Sequence, residues 1–152
     1  MEKLIIWGTE SVISEYIGDV NGYVSAGDIM VLGICFTDHV PQGSAAENSF
    51  PLIACGDPEW ETADCVLVCS EDYSDKVIKE TLSAGAAREK LIFCKLIRME
   101  GFSFDRYMNL AQSRVTILSN CCWGGLTYHY FKLFFYRLQL TFSLRMTITY
   151  GF

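Results

Sequence analysis

An α/β fold built on a parallel sheet is predicted by three observations. Apolar strand-like runs alternate with amphipathic helical stretches over residues 1–97, the order that strand–helix–strand units with right-handed crossovers produce. The run Cys65-Val66-Leu67-Val68-Cys69 carries no charge, as a strand covered on both faces requires. The apolar stretch Lys3–Trp7 passes directly into Gly8, a residue suited to the tight turn that ends a strand.

Taken in order, Lys3–Trp7 is the first buried strand. Val12, Ile13, Tyr16 and Ile17 then recur at helical spacing, with Thr9 placed to cap the start. Gly18 to Gly27 reads as a turn-rich connection, Ile29–Phe36 as a second strand ending at Thr37-Asp38, and Pro41–Ser49 as a polar loop. Pro51–Ala54 is a short extended piece and Cys65–Cys69 the third strand. Tyr73, Val77, Ile78 and Leu82 mark the next helix, with Asp72 as the expected cap and Gly85 beyond its end. Leu91–Leu96 is the last strand, and its part Leu91–Phe93 is expected in one parallel sheet with the other three. Residues 1–97 thus predict a Rossmann-like domain. Gly101–Arg114 reads as a boundary, with Phe104, Tyr107, Met108 and Ala111 on one helical face, and the strand Val115–Leu118 begins a second α/β unit over residues 98–133.

Composition narrows the function classes. A hydrophobic content of 51% with 20% charged residues describes a globular chain. All 18 acidic residues lie at or before Asp105, whereas residues 106–152 carry five of the 12 basic ones and no acid. An acidic first part argues against nucleic-acid binding, since phosphate contacts need Lys and Arg. No stretch has the roughly 18 apolar residues of a membrane span, and Met1–Trp7 lacks the apolar core of a signal peptide. The seven cysteines show no zinc-type paired spacing, so reduced thiols in the cytoplasm are the expected state. Cys35, Cys65 and Cys69 lie inside strand-like runs, where a thiol acts as a small hydrophobe.

Two turns carry the candidate sites. The first, Gly8-Thr9-Glu10-Ser11-Val12-Ile13, retains one glycine of the dinucleotide fingerprint. Glu10 stands where backbone should meet two phosphates, and Ile13 where helix and strand should pack closely. Dehydrogenase-type NAD binding is therefore disfavoured. Gly8, Thr9 and Asp38, which ends the second strand where an acid can bond ribose hydroxyls, remain candidate nucleotide-binding residues. Asp28 has the right count from Gly8 but precedes its strand. The second turn, Ser119-Asn120-Cys121-Cys122-Trp123-Gly124-Gly125, follows the strand Val115–Leu118. A strand end opening into small and polar residues and two glycines lets backbone approach a ligand closely. Either thiol becomes a nucleophile only if a neighbour such as His129 lowers its pKa. A packed, satisfied histidine is the default reading of His129 among its aromatic neighbours, and His39 stands alone in a loop.

That second turn resembles the S-N-N-C-W-G-G signature of a bacterial family of uncharacterised proteins often labelled as exopolysaccharide biosynthesis proteins (domain of unknown function 1919). Cys121 replaces the family's second Asn. The resemblance implies a sugar-binding loop in which Ser119, Asn120, Gly124 and Gly125 contact ligand and Trp123 offers a stacking face. It also favours Cys122, the cysteine before Trp, as the candidate catalytic residue. More loosely, the first turn is similar to the W-G-T/A-G-S opening of small Rossmann-like domains that precede bacterial sugar acyltransferases and polysaccharide enzymes, with departures at Glu10 and Ile13. The implied function is an intracellular role in surface-polysaccharide synthesis, handling a sugar or nucleotide-sugar, with a nucleotide or nucleotide-sugar as the bound cofactor class and no metal. The other readings are a non-catalytic nucleotide- or ligand-binding module and an inactive truncated product.

Residues 134–152 have no acid, no proline and no clear period. Back-translated and read from the third base, they yield text like the family's L-P-F-L-S-P-T-I-N-M-F-F continuation followed by acids; Met146-Thr147, for example, forces an aspartate codon. The expectation is a frameshift near Leu133, an out-of-frame tail over 134–152, and a soluble domain when the chain is ended near Lys95.

Overall fold

The structure, a computed structural model, describes residues 1–37 and 50–112. Its centre is a four-stranded sheet of β1 (Glu2–Gly8), β2 (Ile29–Phe36), β3 (Cys65–Cys69) and β4 (Leu91–Phe93), in the order β2-β1-β3-β4. Every pairing is parallel, as the strand–helix alternation predicts, and the architecture is α/β and Rossmann-like. The chain builds outward from β1 to β2, then crosses back to β3 on the other side, so the strand order reverses between β1 and β3. Pro51–Ala54 adds an extended piece beside β2. The Ile34 N–H donates to the Pro51 carbonyl at 2.8 Å and the Ile53 N–H to the Ile34 carbonyl at 2.9 Å.

Both faces of the central strands are covered, and alternate residues feed separate clusters. Leu4, Ile6, Cys65, Leu67 and Cys69 pack with Val12, Ile13, Tyr16 and Val20 of α1 (Glu10–Ala26). Ile5, Trp7, Val66 and Val68 pack with Trp60 of α2 (Glu59–Thr62) and Ile78 of α3 (Asp75–Ser83). At roughly 1.5–3 kcal/mol for each large side chain buried, these two interfaces hold the three layers together.

Helix α1 runs to Ala26, through the stretch expected as a turn. The apolar spacing continues past Ile17 to Val20, Tyr23 and Val24, which all face the same cluster. Gly18 and Gly22 lie on the exposed side. A helical glycine costs about 1 kcal/mol, less than burying Val20 returns. The stop falls at Gly27, left-handed at φ 80°, whose N–H reaches the Val24 carbonyl while that of Asp28 reaches Tyr23.

The cap of α3 is Ser74, whose hydroxyl accepts from the Val77 N–H at 3.4 Å, not the expected Asp72. β4 ends at Phe93 instead of Leu96, because Cys94–Arg98 turns into a single 3₁₀ turn. The helix expected at the boundary, α4 (Phe104–Gln112), docks on the α1 side. Phe104, Tyr107 and Met108 are buried in that cluster, and the Tyr107 hydroxyl donates to the Leu91 carbonyl at 3.0 Å. The described core therefore extends beyond residue 97, and a cut near Lys95 would strip apolar cover from it. Val115–Leu118 and residues 134–152 lie outside the described residues, as does the loop 41–49.

Candidate ligand site at the strand ends

Parallel strands place their carboxyl ends, and the loops leaving them, along one edge, and ligands bind there where the strand order reverses. In this sheet the reversal lies between Gly8 at the end of β1 and Cys69 at the end of β3, which are register partners. A Cβ on Gly8 would sit 1.9 Å from the Cys69 carbonyl oxygen, so only glycine permits this approach. The Thr37 N–H donates to the Gly8 carbonyl at 3.0 Å, and the Thr9 N–H to the Cys69 carbonyl at 3.4 Å. These two bonds tie together the exits of β1, β2 and β3. Thr9 occupies the cap position of α1, but its hydroxyl lies 3.4 Å from that of Ser11 and makes no cap bond.

On the α3 side of this edge lies an open depression of about 490 Å³. Trp7, Phe36, Thr37, Cys55 and Lys79 contribute to its lining. The end residues of β1 and β2 supply its apolar wall, while Thr37 and Lys79 bring a hydroxyl and an ammonium. Glu80, also at its rim, faces Lys76 at 3.9 Å on the exposed helix surface.

Two thiol pairs flank the edge. Cys35 on β2 is buried and Cys55 exposed, with sulfurs 3.4 Å apart. Burial pushes the Cys35 thiol up to about 12, reinforced by its hydrogen bond with Cys55. Beneath the β3 and β4 exits, Cys69 and Cys94 are both buried, and the Cys94 thiol donates to the Ser70 carbonyl at 3.8 Å. Cys94 is the more acidic, lowered to about 7 chiefly by the Cys69 hydrogen bond, with help from the Tyr16 hydroxyl and the Lys95 charge. Cys69 moves the opposite way through the same bond and burial. Arg98 closes this side. Its guanidinium lies 3.9 Å over the Tyr16 ring and pairs with Glu15 at 2.6 Å and Asp19 at 2.9 Å.

Of the residues singled out from sequence, Gly8 and Thr9 lie on this edge. Asp38, Ser119, Asn120, Cys121, Cys122, Trp123, Gly124, Gly125, His39 and His129 lie outside the described residues. Cys35, Cys65 and Cys69 are buried within strands, as small hydrophobes are. Sequence reasoning missed Trp7, Phe36, Thr37 and Lys79 as lining residues, and both thiol pairs. A signal existed for one pair. Val68 and Phe93 are register partners, so the next residues, Cys69 and Cys94, emerge side by side. Cys35 and Cys55 meet only because the 51–53 segment lies against β2.

No family model matches the sequence, and no curated protein matches it. Among the described residues, no helix is long and apolar enough to cross a membrane.

Proposed function

We propose that the domain binds a nucleotide or nucleotide-sugar at the carboxyl edge of its sheet and serves surface-polysaccharide synthesis, with the Ser119–Gly125 loop handling the sugar. The observation that supports the binding reading is the 490 Å³ depression, which joins the apolar wall of Trp7 and Phe36 to the Thr37 hydroxyl and the Lys79 ammonium. An apolar wall with a few convergent polar groups suits a small ring-bearing anion, the ammonium meeting phosphate and the hydroxyl meeting ribose. The link to polysaccharide rests on the S-N-C-C-W-G-G turn alone. Among the described cysteines only Cys55 is exposed, and the candidate nucleophile toward the sugar is Cys122 of the second turn.

Saturation-transfer NMR with uridine diphosphate glucose, uridine monophosphate and free glucose tests this reading, with the guanosine and cytidine counterparts as a panel. Transfer to base and ribose protons is expected for at least one nucleotide. Lys79→Ala should weaken it about tenfold, the size of one charge-assisted contact, and Trp123→Ala should remove transfer to the glucose ring only. Absence of transfer from the whole panel at millimolar concentration would overturn the proposal.

A further inference from the structure

The pair Cys35–Cys55 has the geometry of a peroxide-reactive thiol with its resolving partner. We propose that Cys55 is a site of oxidation by hydroperoxides and that Cys35 converts the product to an intrachain disulfide. Three observations support this site. The sulfurs lie 3.4 Å apart, and a bond of about 2.05 Å needs them to close by roughly 1.4 Å. Cys55 is exposed in a surface segment bonded to Ile34 of β2, with the Ala54 carbonyl accepting from Trp60 Nε1 and the Gly56 N–H donating to the Ala84 carbonyl, so the closing movement is a small shift of that segment and leaves the strand in place. Cys35 is only 2% exposed and is shielded from bulk oxidant, which separates the two roles: the exposed thiol meets peroxide and the buried one waits behind it. The contrast with Cys69 and Cys94 supports the choice, since neither of those sulfurs reaches solvent.

The chemistry balances with a hydroperoxide as the oxidant. The Cys55 thiolate attacks the distal peroxide oxygen, the O–O bond breaks, and an S–O bond forms. Water or an alcohol leaves, and Cys55 becomes a sulfenic acid. The Cys35 sulfur then attacks the Cys55 sulfur, the S–O bond breaks, and an S–S bond forms. The departing hydroxide takes the Cys35 proton and leaves as water. A dithiol reductant reverses the change by exchange through a mixed disulfide. Because Cys55 lines the same depression as Trp7 and Lys79, the disulfide reshapes that wall; the oxidation itself does not depend on what the depression binds.

The test uses the full chain, reduced, freed of reductant, treated with a tenfold excess of hydrogen peroxide, and then unfolded in urea so that the remaining thiols are blocked with N-ethylmaleimide. Chymotrypsin suits the mapping because cleavage after Leu32, Phe36, Leu52 and Trp60 puts the two cysteines on separate peptides. Mass spectrometry should find Gly33–Phe36 linked to Ile53–Trp60, and dithiothreitol should release both. In Cys35→Ser, Cys55 should stop at a sulfenic acid that dimedone traps; Cys55→Ser should leave Cys35 blocked by maleimide. The wild-type map decides the matter even if a variant fails to fold. Cys55 running on to sulfinic acid without a link, linking to Cys121, Cys122 or another chain, or emerging unoxidised would each overturn the proposal.

Discussion

Adding one methyl group to Gly8 places a Cβ 1.9 Å from the Cys69 carbonyl oxygen and 2.7 Å from its carbonyl carbon. An ordinary contact between such atoms is about 3.5 Å, so the β1 and β3 exits must part by more than 1 Å. The obstacle is backbone, which has no rotamer to escape into. Relieving such a clash in a packed sheet costs about 1–3 kcal/mol. Weakening the Thr9 N–H bond to the Cys69 carbonyl adds about 1 kcal/mol, and a side chain at the Gly8 φ of 155° about 1 kcal/mol more. Gly8→Ala should therefore lose about 3–5 kcal/mol, a large share of the 5–15 kcal/mol typical of a domain. Gly18→Ala is the matched control. Nothing lies within 4 Å of its added Cβ, and on the exposed side of α1 it should gain about 0.5–1 kcal/mol. Urea unfolding followed by far-ultraviolet circular dichroism reads both. The reasoning fails if Gly8→Ala loses under 1 kcal/mol, or if the two substitutions shift stability in the same direction.

Two further outcomes concern the core. Phe104→Ala should lose about 3 kcal/mol and Tyr107→Phe about 1 kcal/mol, through the Leu91 carbonyl it leaves without that donor; wild-type unfolding curves for both would show that α4 is not part of the core. The thiols of Cys35, Cys65 and Cys69 titrate above their ordinary value when folded. Their contribution is complete below pH 9 and is lost progressively as pH rises above it, with each thiol steepening the fall by up to about 1.4 kcal/mol per pH unit. Cys94, lowered to about 7, acts in the opposite sense, adding stability as pH climbs from 7 to 9. Cys65→Ala should flatten the alkaline slope measured at pH 9, 9.5 and 10, and an unchanged slope would refute the assignment.

The fold class was legible because its signals are local. An uncharged run such as Cys65–Cys69 reports coverage of both sheet faces whatever its neighbours are, and the alternation with helices implies parallel pairing. Errors arose where local punctuation competed with long-range packing. Gly18 and Gly22 suggested a turn, yet the helix continues because Val20, Tyr23 and Val24 gain a buried face. Asp72 lost the cap to Ser74, where two residues of difference set which turn comes first. The helical face read from Phe104, Tyr107 and Met108 after Gly101 was legible, but that it packs on this core was not.

The candidate site divides in the same way. Sequence alone determined that Gly8 and Thr9 close a strand and open a helix, since a β–turn–α unit is specified by neighbouring residues. It also determined that both sheet faces would be covered. Only the tertiary structure decided that β1 lies between β2 and β3, that the Gly8 backbone touches Cys69, and that Trp7, Phe36, Thr37 and Lys79 share one depression. Only it placed Cys35 beside Cys55 and Cys69 beside Cys94. Those meetings depend on strand order and on where a returning segment lies down. Both are set by the summed burial of distant residues, and no local stretch of sequence encodes that sum.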